Sequence, residues 1–155
     1  MTTAPVSTSD RNLDAACVIV TGEISRTDSK ASLLLAFDGA VLAGLASVAD
    51  EDLPLFTKAV GGLAVLALAA AAVLLLLVVR PNLGGGGRII REGLPYWAQL
   101  EESELRESMT EDTRAARVKA LSVLAVGKYQ RLARAVDAIL AAIALLAAAA
   151  IGALG

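Results

Sequence analysis

Few residues in this 155-residue chain are equipped for chemistry, and their types narrow it sharply. There is no histidine, and the only cysteine is Cys17. Ser–His–Asp triads, Cys–His dyads and the usual zinc or haem ligand sets are thereby excluded, so neither a metal nor a cofactor is expected. Four glycines, Gly84 to Gly87, follow Arg80-Pro81-Asn82-Leu83 and invite comparison with a phosphate-binding loop. No Gly-Lys-Ser/Thr follows them, however, and a solvated hinge after a helix stop is the expectation. Leu94-Pro95-Tyr96-Trp97 sets two aromatic rings side by side, suited to stacking on a planar ligand or to anchoring at lipid headgroups. One acid, Asp38, stands inside an apolar stretch, where a carboxyl group needs a partner, a proton or water. Neither a paired acid nor a Ser/Lys arrangement accompanies it, so no enzyme activity is expected.

The elements that carry these residues are unusually apolar. The chain is 56% hydrophobic and 19% charged, with a mean hydropathy of +0.65. Soluble domains sit near about 45–50% and about 25%. The excess is concentrated in three blocks. Residues 59–79 contain no charge, residues 31–49 contain only Asp38, and residues 135–155 contain only Asp137. At about 1.5 Å per residue, each reaches across a hydrocarbon layer of about 30 Å. The remaining residues are too few to wrap three such helices, so the expected fold is an all-α membrane protein with three transmembrane helices. Two amphipathic extensions are expected beside them. Leu13, Ala16, Cys17, Val20, Ile24 and Thr27 recur at helical spacing ahead of the first span, and Val118, Leu121, Ala125, Tyr129, Leu132 and Val136 ahead of the last. Such stripes also suit a seam between chains, and a homo-oligomer is expected.

Charge orients the spans. Asp50-Glu51-Asp52 and a single Lys58 lie between the first two, while thirteen of the fourteen basic residues fall on the opposite side. By the positive-inside rule the N-terminus is cytoplasmic. The expected order is a disordered tail over 1–10, a cytoplasmic helix over 11–30, a span over 31–49 and an outside turn over 50–58. A span over 59–79, a cytoplasmic helical region over 80–134 and a last span over 135–155 complete it. A net charge of −2 gives no bulk attraction to nucleic acid, which is not expected as a partner.

The stretch Asp28-Ser29-Lys30-Ala31-Ser32-Leu33-Leu34-Leu35-Ala36-Phe37-Asp38-Gly39-Ala40 resembles the opening of the first span in the Pycsar effector transmembrane family. Arg80-Pro81 after the second span, the aromatic then acidic patch from Tyr96 to Leu105, and Lys128-Tyr129 before the last span fit the same resemblance. It covers the chain from about Asp10 onward. Asp38 is a departure, since that family usually carries Asn there. Asp28, Lys30, Asp38 and Gly39 are the positions the resemblance marks for membrane function.

The resemblance implies an anti-phage effector in the cell inner membrane, functionally paired with a nucleotide cyclase. Such an effector senses cyclic UMP or cyclic CMP and disrupts the lipid bilayer, killing the infected cell by abortive infection. A cyclic mononucleotide asks for cations at its phosphate and a flat wall at its base. Arg80, Arg88, Arg91, Lys128 and Arg131 are the candidate phosphate contacts, with Tyr96 and Trp97 for stacking. A passive membrane scaffold or anchor subunit docking a cytoplasmic partner is the alternative.

Overall fold

Twenty-five consecutive residues without a proline or an acid make the central element of the computed structural model, α2, Leu55–Val79. The structure describes residues 7–49, 53–80 and 94–154. Ahead of α2 comes α1, Thr8–Ser47, and after it α3, Leu94–Trp97, α4, Glu102–Ser108, and α5, Arg114–Leu154. No strand occurs among the described residues. Both α1, with 40 residues, and α5, with 41, run about 60 Å, twice the hydrocarbon thickness.

Local chemistry explains where these helices begin and why they continue. At the head of α1 the Ser7 hydroxyl donates to Asp10 Oδ2 at 2.8 Å, and the Asp10 N–H donates to Ser7 Oγ at 3.1 Å. This reciprocal cap starts the helix at Thr8, inside the stretch expected as an unstructured tail over 1–10; residues 1–6 lie outside the described residues. The polar Thr27-Asp28-Ser29 segment does not interrupt α1. Hydroxyls there and nearby fold back on the preceding turn, with Ser29 Oγ donating to the Ser25 carbonyl at 3.0 Å and Ser32 Oγ to the Asp28 carbonyl at 2.9 Å. Pro54 precedes the first turn of α2, where a missing N–H costs nothing. Glu101 and Glu104 close a capping box on α4. The stretch 50–58, expected as an outside turn, is described only from Leu53, and Gly84 to Gly87 lie outside the described residues.

The described residues fall into two compact units. One is built from α1 from Ser25 onward, all of α2 and α5 from Gly127 onward. Its three helices meet on Ala31, Ala71, Leu75, Val78, Leu132, Ala135 and Ile139, flanked by Leu34, Leu35, Leu74 and Ala138. Ala31, Ala71 and Ala135 have no exposed surface, so the three backbones come close where those residues face inward. On α2 the buried face is Thr57, Ala64, Leu68, Ala71, Leu75 and Val78, a three-and-four repeat. At the far end the Thr57 hydroxyl donates to the Ala149 carbonyl at 3.4 Å. There α5 passes so near α2 that a Cβ on Gly152 would stand 2.7 Å from Phe56 Cδ1.

The outside of this unit is as apolar as its inside. Leu33, Phe37, Leu63, Leu66, Val73, Leu76, Leu140 and Ile151 are all exposed. In water such a surface would aggregate, whereas lipid tails solvate it at no cost. All three long helices carry a stretch long and apolar enough to cross a membrane.

The other unit holds α1 up to Ile24 together with α3, α4 and α5 up to Val126. Leu13, Ala16, Cys17, Val20 and Ile24 are all partly buried, whereas Val18 and Ile19 are exposed. The expected stripe on α5 is partly shifted: Ala125 and Leu132 are buried, but Tyr129 is exposed and Lys128 takes the inward position.

Candidate functional site

Lys128 turns inward because a carboxylate waits for it. Its Nζ donates to Asp28 Oδ1 at 2.5 Å, joining α1 and α5 just before the three-helix core begins at Ala31. The lysine side chain is only 8% exposed and the aspartate 35%. An ammonium so far out of water needs its counter-charge, and the short contact supplies it. Two positions that the sequence marks for different reasons, Asp28 in the span-opening motif and Lys128 as a phosphate contact, are thus bonded to each other.

Ten residues along α1, Asp38 has no such partner. It is completely buried, and neither carboxyl oxygen has a hydrogen-bonding group in reach. Its neighbour Gly39 is exposed, with nothing within 4 Å of where a Cβ would stand. Lys30 is exposed as well. Thr27 and Ala31, on the same helix face as Asp38, are buried.

The remaining candidate ligand contacts are dispersed. Arg80 caps α2, its N–H donating to the Leu76 carbonyl at 2.9 Å, and its side chain is exposed. Arg131 is exposed on α5. Both belong to the three-helix unit with Lys128. Tyr96 and Trp97 form part of the one-turn α3 in the other unit, and both are half-buried. Arg88 and Arg91 lie outside the described residues.

The second unit contains an arrangement that spacing alone does not reveal. Arg114, at the first turn of α5, is gripped by three carboxylates. Its Nη2 donates to Asp10 Oδ1 and Asp112 Oδ2 at 2.8 Å each, and its Nη1 to Asp14 Oδ1 at 3.0 Å. Hydrogen bonds from Arg114 hold the Asp112 carboxyl down to about 2. The Ser7 hydroxyl, with help from Arg114, keeps Asp10 below the usual carboxylate range. The Arg114 proton is held correspondingly more tightly, chiefly by Asp112 and then by Asp14. These side chains are substantially exposed, so the arrangement ties the two helix starts together more by geometry than by energy. Two local patterns foreshadow it, Ser-x-x-Asp at 7–10 and Asp-x-Arg at 112–114. The Asp10–Arg114 bond itself bridges 104 residues.

No curated protein and no solved structure matches the chain. The Pycsar effector protein domain does, over residues 12–155, a range that takes in α2 to α5 entirely and all but the first turn of α1. With three membrane-length helices and this match over nearly the whole sequence, the chain belongs to the Pycsar effector protein family.

Proposed function

We propose that this protein senses a cyclic pyrimidine nucleotide, cyclic UMP or cyclic CMP, made by a partner cyclase on infection, and responds by permeabilising the inner membrane. The family match across residues 12–155 is the observation that carries this reading. It acts by rearrangement rather than catalysis, as a multi-pass protein with a cytoplasmic N-terminus. Several chains assemble when it is active.

A ligand shifts such an equilibrium only if it binds one arrangement better than another. Arg80 and Arg131 present exposed cations to a phosphate. Lys128 reaches one only by parting from Asp28, which would separate α1 from α5 at the mouth of the core. Phosphate binding at that lysine would therefore do mechanical work on the bundle, and the small residues along the spans leave room for new helix–helix contacts.

The test is potassium release from liposomes containing the inserted protein, with cyclic UMP, cyclic CMP, cyclic AMP and cyclic GMP added separately. Release with a cyclic pyrimidine nucleotide and not with the purines is the expected result. Silence with all four, from correctly inserted protein, refutes the reading and leaves the scaffold role.

A further inference from the structure

We infer that Asp38 sets the ion selectivity of the pathway this protein opens, making it a cation pathway. The inference rests on the permeabilising role proposed above.

Asp38 is wholly buried, and its two oxygens are the only buried side-chain nitrogen or oxygen atoms without a partner among the described residues. Three donors of the same three-helix unit are committed elsewhere. Lys128 is bonded to Asp28, Thr57 to the Ala149 carbonyl, and Ser32 to the Asp28 carbonyl. Seven residues beyond Ala31 on the same face, Asp38 lies about 10 Å further along α1 than the core junction, in the middle third of the apolar stretch 31–49. A buried carboxyl group with neither water nor a donor is strongly penalised, so the closed bundle holds this side chain at a cost. An arrangement that lets water reach it removes that cost. Asp38 therefore favours a wetted bundle over a dry one.

Once wetted, it is the only fixed charge that deep. Residues 59–79 and 138–155 contain no ionisable side chain, and Asp137, at the edge of the last stretch, is exposed on the outer surface of the bundle. Water restores the solvation that a charged carboxylate needs. Within the apolar stretches, beyond the Asp28–Lys128 pair at the mouth, a path between these helices then passes negative charge and no positive one, in surroundings of low dielectric where a charge acts strongly. Cations gain from that charge and anions are repelled.

The experiment is conductance across a planar bilayer under a potassium chloride gradient, with cyclic UMP or cyclic CMP as activator. The wild-type reversal potential is expected near the potassium value, with a cation-to-anion permeability ratio of about tenfold or more. Asp38→Glu should keep it. Asp38→Asn should conduct with a ratio near one, and Asp38→Lys should prefer chloride. Helicity and membrane insertion of each variant are checked by circular dichroism in the same lipid. Conductance with unchanged selectivity in Asp38→Asn overturns the inference and leaves the permeabilising role standing. A non-selective wild-type pathway overturns it equally. No conductance under any condition removes the permeabilising role, and this inference with it.

Discussion

Asp28→Asn and Lys128→Met remove the same ion pair, yet they should differ in cost. In Asp28→Asn the ammonium of Lys128, with its side chain only 8% exposed, loses its counter-charge. Breaking a buried pair from one side costs about 3–5 kcal/mol. The lysine recovers part of that by extending its four-carbon stem toward the headgroups, which leaves about 2–3 kcal/mol. In Lys128→Met the survivor is Asp28, whose side chain is 35% exposed and so open to hydration by water. The methionine also packs where the lysine stem lay, and the cost should be about 0.5–1 kcal/mol. The gap of about 2 kcal/mol is roughly thirtyfold in an unfolding equilibrium. The double variant should return close to the Lys128→Met level, because no buried charge remains to be stranded. Equilibrium unfolding in bicelles, followed by far-ultraviolet circular dichroism, measures all three. Equal costs for the two single variants, or a double variant no better than Asp28→Asn, would refute the claim that Lys128 is the buried member and Asp28 its necessary partner.

The Arg114 grip should respond to acid, and burial on α2 should respond to volume. Asp112 titrates at about 2 rather than at its ordinary 3.8, and Asp10 is also lowered. A depressed acid contributes its stabilisation above the ordinary value and loses it as pH falls through the lowered one. The contacts to Arg114 should therefore stand unchanged above pH 4 and loosen between 4 and 2. Carboxyl carbon shifts of Asp112, recorded by nuclear magnetic resonance, read this directly, and a midpoint near 3.8 would sink it. On α2, Ala71 is completely buried whereas Ala70 is exposed. Ala71→Leu forces extra carbons into a filled junction and should cost about 2–3 kcal/mol. Ala70→Leu should cost less than about 0.5 kcal/mol, and equal effects in the same bicelle assay would show that the inward face is misplaced.

Much of the architecture follows from features a single sequence displays. Residues 59–79 lack any charge, which commits α2 to an apolar solvent whatever packs beside it. The three-and-four spacing of Leu13, Ala16, Cys17, Val20 and Ile24 commits one face of α1 to partial burial, as it is found. Even the start of α1 is local, since Ser7 and Asp10 cap it through side chains three residues apart. The candidate site is legible only as a set of residue types. Lys128 and Tyr129 differ by about 100° around a helix, too little for a periodicity drawn from apolar residues to choose between them. Arg80 and Arg131 are visible as cations, but nothing in their spacing shows that they stay exposed while Lys128 does not.

Hydrophobicity and helical period are properties of a segment, so they determined an all-α chain with three membrane-length helices before any contact was known. Pairing is a property of two segments. Asp28 and Lys128 are 100 residues apart, as are Asp14 and Arg114. Their meeting depends on the rotation and depth at which α1 and α5 lie in each unit. That rotation turned Lys128 inward to a waiting carboxylate, and it turned Asp38 inward to none. Whether a charged side chain is a topology anchor, a structural bond or an unsatisfied group depends on what faces it, and only the tertiary structure decided that.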